Sequence, residues 1–304
     1  MAVMTARPFL KWAGGKGRLL GQMEEHLPLA LRRGEVCRYV EPFVGGGALF
    51  FYLRQRYDIQ EFFLFDRSPE LVLAYRVVQR DVGALIEALL ELEKVYLALD
   101  AEGRKGAFYE MRARFNRERQ TIDFEHYDER WTRRAAQFIF LNRTCYNGLF
   151  RVNAKGAFNV PFGRYEKPRI CHSENLRATS VLLQGVHIAQ GDFAACEPLI
   201  DEQTFVYFDP PYRPISRTAA FNSYAQAAFG DEEQLRLAGF YRELDGKGAR
   251  LMLSNSDPKN VDVEDDFFEA AYQGLRIERI AAGRAINSKG TRRGSVSELL
   301  IMNY

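Results

Sequence analysis

Asp209-Pro210-Pro211-Tyr212 follows directly on the apolar run Thr204-Phe205-Val206-Tyr207-Phe208. Two prolines cannot continue a strand ladder, so the chain must turn where the strand ends, and open α/β sheets bind ligands at that carboxyl edge. A carboxylate, a constrained backbone carbonyl and an aromatic ring within four residues suit one kind of chemistry. An exocyclic amine on an aromatic ring attacks poorly, because its lone pair is delocalised into the ring. Accepting its two N–H bonds on the Asp209 carboxylate and the Pro210 carbonyl would pull the nitrogen towards a tetrahedral shape. The lone pair would then point at an electrophile, with Pro210 and Pro211 holding the turn and Tyr212 stacked on the base. Positioning and electrostatics would carry most of the rate, and neither a metal nor a covalent intermediate is needed. The bland alternative is a plain strand-to-loop turn. The setting, after an apolar strand and downstream of a glycine turn and an acid-ended strand, favours the chemistry.

The elements that must position this tetrapeptide begin upstream. Arg38-Tyr39-Val40-Glu41-Pro42-Phe43 reads as a buried strand, followed by the turn Gly45-Gly46-Gly47 and a helix from Ala48 to Arg56. Phe62-Phe63-Leu64-Phe65-Asp66 reads as a second strand, and Ser68-Pro69-Glu70 as a capped helix start, which together make a βαβ unit. The glycines let backbone approach a ligand closely, although a tight turn explains them about as well. Asp66 ends the next strand about twenty residues on, where an acid in a nucleotide-binding α/β fold grips ribose hydroxyls. The dinucleotide fingerprint fails, since no glycine stands where its third belongs, so a nucleoside without phosphates fits better. Lys11-Trp12-Ala13-Gly14-Gly15-Lys16 reads as a loop folding over a ligand, or as a hydrophobic anchor before a solvated turn. Asp192, in Gly191-Asp192-Phe193, could reach an adenine amine or merely end a strand.

Ser68 to Arg143 is helical in pattern, with three-to-four spaced apolar residues in Ala84 to Leu99, Gly106 to Arg119 and Asp128 to Arg143. Leu149 to Asn153 and Ala157 to Val160 read as a hairpin around Ala154-Lys155-Gly156. Strands resume at Val186 to Ala189, Thr204 to Asp209, Arg250 to Ser254 and Ser297 to Ile301. The expected architecture is a Rossmann-like α/β domain, residues 1–67 and 186–304, interrupted by a mostly helical insert, residues 68–185.

The 304 residues carry a formal net charge of only +2, but the charge is segregated. Arg130 to Arg177 holds ten Lys or Arg against Glu166 and Glu174, and Arg279, Arg284, Lys289, Arg292 and Arg293 form a second basic run. Such segregation suits a polyanion, or is simply a solvated basic face. No stretch approaches the roughly 20 apolar residues that cross a bilayer. Met1 to Lys11 has no apolar h-region or cleavage site, so a cytoplasmic protein is expected. Cys37, Cys145, Cys171 and Cys196 lie far apart without metal-type spacing, as reduced thiols would.

With these residues assembled, the chain resembles the Dam-type adenine DNA methyltransferases nearly end to end, and among them the GATC-specific methylases of DpnII-type restriction systems. The resemblance is carried by Phe9-Leu10-Lys11-Trp12-Ala13-Gly14-Gly15-Lys16, by Glu41-Pro42-Phe43-Val44-Gly45-Gly46-Gly47-Ala48, by Asn159-Val160-Pro161-Phe162-Gly163-Arg164-Tyr165 and by Phe208-Asp209-Pro210-Pro211-Tyr212. It implies an S-adenosylmethionine-dependent methyltransferase sheet and transfer of a methyl group to the N6 amine of adenine in double-stranded DNA. S-adenosylhomocysteine would be the product, and the adenine would be flipped out of the duplex. It further implies cofactor contacts from Trp12, Lys16, Asp66 and Asp209, with Glu41, Phe43, Gly45, Gly47 and Asp192 nearby. The insert would be the target-recognition part, aligned through Asn142-Arg143-Thr144-Cys145-Tyr146-Asn147-Gly148-Leu149-Phe150-Arg151. There Leu149, Arg151 and Pro161 would read base edges, Tyr146 and Asn147 would fill or hold the gap left by the flipped base, and Lys11 would touch the outer guanine. Thr144-Cys145 and Phe150 depart from some members. A monomer, and a cognate restriction endonuclease acting separately, complete the expectation.

Rival functions fit these residues less well. An RNA adenine methyltransferase often carries Asn before the two prolines and lacks the insert. A silent DNA-binding relative would not need an intact tetrapeptide. A cytosine-N4 enzyme usually begins the tetrapeptide with Ser. A cytosine-C5 enzyme is discarded, since none of the four cysteines follows a proline.

Overall fold

The computed structural model describes residues 5–213, 229–282 and 296–304. Its sheet has seven strands: β1 (Arg38–Glu41), β2 (Glu61–Asp66), β3 (His187–Gln190), β4 (Thr204–Phe208), β5 (Arg250–Ser256), β6 (Arg276–Ala282) and β7 (Val296–Met302). Their order is β3-β2-β1-β4-β5-β7-β6. β1 runs parallel to β2 and β4, and β4 parallel to β5, while β7 is antiparallel to β5 and β6. From β1 the chain moves to β2 on one side, whereas β4 flanks β1 on the other, so the strand order reverses between β1 and β4. Such a switch point opens a crevice at the carboxyl ends of the two strands. Register Arg38 with Thr204 and Val40 with Val206 brings Glu41 and Asp209 out at that same end.

β4 is buried at every position, as a central parallel strand covered on both faces must be. β6 carries no strand-like pattern of its own: Arg276, Glu278 and Arg279 interrupt it, and only Ile280 is buried. Its seven-residue pairing with β7 supplies what its sequence lacks.

Two compact units make up the chain. One comprises Met1–Gly15, Gly45–Gln55 and Asp66–Gln190, and is mainly helical. Its helix Pro69–Arg80 starts as the sequence expects, with Ser68 Oγ accepting from Leu71 N at 3.4 Å and Pro69 in the first turn. Helices Val82–Ala98, Ala101–Glu118, Arg130–Thr144 and Ser173–Leu183 follow. Packing between them buries Glu70 against Arg134, both under 4 % exposed.

The expected hairpin forms without ladder strands. Its bridge is Val152 to Phe158, and Asn159 N donates to Arg151 O at 3.1 Å. Side chains take the groups a ladder would use. Asn116 accepts from Phe158 N at 2.8 Å and donates to Phe158 O at 3.0 Å, while Asn153 Oδ1 accepts from the backbone of Lys155 and Ala157.

The second unit comprises Lys16–Val44, Arg56–Phe65 and Gly191–Tyr304. Helix Asp231–Gly246 is tied to the sheet by Tyr241, whose hydroxyl donates to Leu251 O at 3.0 Å. Among the described residues no helix is long and apolar enough to cross a membrane.

The basic count needs revision in three dimensions. Arg134 is buried against Glu70, while Arg130 and Arg133 pair with Asp128 and Glu118, so three of the ten are already engaged. In the second run Arg279 pairs with Asp257 and Glu269, and Arg284, Lys289, Arg292 and Arg293 lie outside the described residues.

Candidate active site

In the second unit the tetrapeptide leaves β4 into a polar cluster. Lys16 is 2 % exposed, and its Nζ donates to Asp209 Oδ1 at 2.5 Å. Ser254 Oγ, from β5, donates to the same oxygen at 3.0 Å. Since the Ser254 proton goes to Asp209, the Tyr207 hydroxyl, 2.9 Å from Ser254 Oγ, must be the donor of that pair. Tyr207, Ser254 and Asp209 thus form a directed relay, and the carboxylate is its sink.

Tyr212 is held at both faces of its chemistry. Its hydroxyl donates to Glu298 Oε2 on β7, and the Lys16 ammonium sits 4.7 Å from its ring centroid. Lys16 also lies 4.0 Å from Glu298, so one buried cation serves two carboxylates. Burial, then the charges of Asp209 and Glu298, push the Tyr212 phenol far above its ordinary range. Burial does the same to Tyr207 and Tyr39, reinforced by Asp209 and Glu41 respectively. All three are therefore hydrogen-bond donors, not bases, near neutral pH. Tyr39 spends its proton on Glu41, at 2.9 Å.

The turn itself is braced from behind. Gln234 Nε2 donates to Pro211 O at 3.0 Å, and Asn255 Nδ2 donates to Gln234 Oε1 at 3.2 Å. Asn255 Oδ1 in turn accepts from Arg213 N at 3.3 Å. Both amides are fully buried, so this strut is part of the core and not a surface contact. Sequence reasoning missed Ser254, Glu298, Gln234 and Asn255. The signal for two of them was present, since Ser254 and Asn255 are polar residues closing an otherwise apolar central strand.

Phe43 packs against Phe193 and Phe229, with ring centroids 5.6 and 5.5 Å away. Asp192 does not present an unengaged carboxylate. Arg236 grips it through two contacts of 2.9 and 2.7 Å, and Asp192 Oδ1 also accepts from Ala194 N. A ligand amine reaching this side chain would have to compete with a guanidinium.

In the first unit the glycine turn forms a tight backbone cradle. Gly45 has φ +46°, and a Cβ there would lie 2.7 Å from the Trp12 indole. Only glycine lets the indole rest on this backbone. Gly47, at φ +67°, starts the helix Ala48–Arg54. Asp66 Oδ2 accepts from Gly45 N at 3.1 Å, its Oδ1 accepts from Ser68 N at 2.9 Å, and the Tyr75 hydroxyl donates to Gly45 O at 3.1 Å. Burial raises Asp66 to about 6, against the opposing pull of these backbone donors. The Trp12 ring stacks 6.0 Å from Phe150, so the cradle is built against the segment that carries Arg151.

The residues expected to touch DNA gather in this same unit. Asn142 Oδ1 accepts from Lys11 N at 2.9 Å, while its Nδ2 donates to Lys11 O at 2.7 Å and Gly148 O at 2.8 Å. One buried amide therefore joins the Lys11 segment to the Asn147 turn. Asn147 adopts φ +54°, and its N–H donates to the Tyr165 hydroxyl, whose ring lies 4.4 Å from Lys11 Nζ. Tyr146 is 54 % exposed, an unusual cost for a large ring unless something covers it. Arg151 is exposed, with Nε donating to Asn159 Oδ1 at 2.8 Å, and Pro161 O accepts from Tyr146 N at 2.8 Å. Leu149 lies half-buried between them. Lys11, Tyr146, Asn147, Leu149, Arg151 and Pro161 are thus brought together by one turn and one bridge.

Residues 12–286 match the family described as D12 class N6 adenine-specific DNA methyltransferase. The chain is 49 % identical over 302 residues to the Type II methyltransferase M.MjaIII of Methanocaldococcus jannaschii, covering 99 % of this chain and all of the relative. It is 35 % identical to the Type II methyltransferase M1.LlaDCHI of Lactococcus lactis, over 99 % of this chain and 96 % of that one. The DNA adenine methylase of Escherichia coli is 33 % identical over 97 % of this chain and 95 % of its own length.

Proposed function

Because this chain belongs to the D12 class N6 adenine-specific DNA methyltransferases, we propose that it methylates adenine at Asp209-Pro210-Pro211-Tyr212, with S-adenosylmethionine as donor and GATC in duplex DNA as target. The observation that carries the site assignment is the carboxylate of Asp209, fixed at the end of β4 by Lys16 and Ser254.

The residues present fit the donor. The Gly45 cradle admits only backbone beside the Trp12 indole, and Asp66 offers an acid for ribose hydroxyls without any run of phosphate-binding cations. Trp12, Gly45, Gly47 and Asp66 are the contacts assigned in one unit, and Lys16, Glu41, Phe43, Asp192 and Asp209 those in the other. Bound S-adenosylmethionine would supply a methyl group on a positively charged sulfonium, already a strong electrophile.

The protein's own task is then to prepare the amine. Both contacts on Asp209 fall on Oδ1, which fixes the rotation of the carboxyl and leaves Oδ2 to accept an amine proton. The strut from Gln234 consumes the Pro211 carbonyl and so favours Pro210 as the second acceptor. Tyr212 would receive the flipped base on its ring. As the nitrogen gains positive charge, the preorganised carboxylate stabilises it without reorganising water.

The decisive experiment expresses the chain in a host lacking adenine methylation and digests its plasmid with a nuclease that cuts only methylated GATC. Cutting is expected; resistance alongside measured methyl incorporation would overturn the target but not the chemistry.

Arg151 is suited to guanine, since a guanidinium donates to both major-groove acceptors. Arg151→Ala should cost about 1–3 kcal/mol of discrimination at one base pair. Binding measured across single-base variants of the site checks this, and a uniform loss would instead mark a phosphate contact.

Asp66 gives a pH dependence. Its carboxyl, at about 6 in the folded protein against about 4 when unfolded, favours the folded state in its neutral form, and that contribution is lost as pH rises through 6. Ribose hydroxyls donate to the ionised form, so cofactor affinity should climb through the same window and plateau above it. Calorimetric titration from pH 5 to 8 checks the slope, and Asp66→Asn should flatten it.

The helical segment 68–185 is assigned to target recognition. The reading extends to a monomer in the cytoplasm, acting on nucleoid DNA, with a separate cognate endonuclease. Sedimentation of the free protein, and assay of host extracts for cutting of unmethylated GATC, test these.

A further inference from the structure

Arg130, Arg133 and Arg134 of the helical unit pair with carboxylates, but another group of its cations does not. Arg7, Arg143, Arg169 and His172 come from the N-terminal segment, the last turn of helix Arg130–Thr144 and the loop before helix Ser173–Leu183. Among the described residues none of these arginines pairs with an acid. Arg7 is locked in place, its backbone N donating to Asn175 Oδ1 at 3.1 Å and its O accepting from Asn175 Nδ2 at 2.9 Å.

The contacts within the group are ones that cations make with neutral partners. Arg7 Nη2 donates to His172 Nε2 at 3.2 Å, which puts the imidazole proton on Nδ1, a buried atom with no partner. Arg143 Nη2 donates to Phe9 O at 2.6 Å, and its buried Nε has no partner either. Burial and the charges of Arg7 and Arg169 lower the Arg143 guanidinium; burial and all three arginines lower His172, with Glu174 alone opposing. Like charges gathered in this way raise the energy of the folded chain until an anion arrives. The positive field also continues towards the expected reading surface, since burial and then the charge of Arg143 lower Lys11.

We propose that Arg7 and Arg169, the two exposed members, clasp a backbone phosphate of bound duplex DNA, with Arg143 and His172 behind them supplying charge. The site lies beside the Lys11 and Asn147 turn, because Asn142, which pins that turn, is the neighbour of Arg143. A phosphate bound here would set the register of the duplex without reading its sequence. This rests on the DNA substrate proposed above.

The test measures duplex binding against salt for the wild type, for Arg7→Ala with Arg169→Ala, and for Arg169→Gln alone as the milder variant. The log–log slope should flatten by about 0.9 for each phosphate that is no longer neutralised, equally on GATC and on scrambled duplexes. An unchanged slope, or a weakening confined to GATC, overturns the proposal. Inorganic phosphate is titrated in a second arm, following thermal unfolding. Stabilisation of the wild type but not the double variant, with an unchanged DNA slope, would assign the site to a free anion and overturn the backbone clasp. Failure of the wild type itself to bind duplex DNA would instead refute the substrate reading.

Discussion

Asp209→Ala should lower methyl transfer by about three orders of magnitude or more, while duplex binding changes little. The carboxylate acts on charge that develops only as the amine reacts, so its loss falls on turnover and not on affinity. Alanine also takes from buried Lys16 the nearer of the two carboxylates that flank it, Glu298 lying 4.0 Å away. Asp209→Asn separates these effects. Its amide oxygen can keep the contacts to Lys16 and Ser254, which turns the amide nitrogen, a donor, towards the donor hydrogens of the amine. The two variants should therefore differ in thermal stability yet fail alike in turnover. Single-turnover methylation of a GATC duplex, with anisotropy for binding, reads both quantities. Near-normal turnover by Asp209→Ala would refute amine activation, and retention by Asp209→Asn alone would reduce Asp209 to a counter-ion for Lys16.

The parts of this site that could be read from sequence are those fixed by local chemistry. A tetrapeptide with two prolines announces where β4 stops, and Ser68-Pro69-Glu70 announces a helix start, because caps and prolines act over a few residues. Asp66 stands out in the sequence by its distance from the glycine turn, whereas its clamp on Gly45 N does not. The supporting residues were hidden for a different reason. Glu298 reaches Tyr212 across 86 positions, and Ser254 reaches Asp209 across 45, so only strand order brings them together. β6 was illegible because its identity comes from pairing with β7, not from its own pattern. The charge count misled in a simple way, since a sequence tally cannot tell Arg134, buried on Glu70, from Arg151, which is exposed.

Glu70→Ala should destabilise the helical unit by about 3–5 kcal/mol, the cost of leaving a buried guanidinium without its counter-charge. Arg134 would keep its hydrogen bond to Phe115 O and its seat 3.4 Å over the Phe115 ring, but both are neutral partners. Gln137, on the same helix as Arg134, donates to Glu118 of helix Ala101–Glu118 and would not substitute, since that contact satisfies a different side chain. Helix Arg130–Thr144 carries Asn142 and Arg143 in its last turn, so loosening its middle should be felt at the Lys11 and Gly148 contacts as well as in the unfolding midpoint. Replacing both partners, Glu70→Leu with Arg134→Met, removes the buried charge altogether and should recover most of the stability. If the pair serves only to hold the helices, that double variant will also regain discrimination between GATC and single-base variants. If it recovers stability but not discrimination, the ion pair fixes the register of helix Arg130–Thr144 against helix Pro69–Arg80. A buried charge pair would then be retained for where it places Asn142, and urea unfolding alongside the binding series distinguishes the two outcomes.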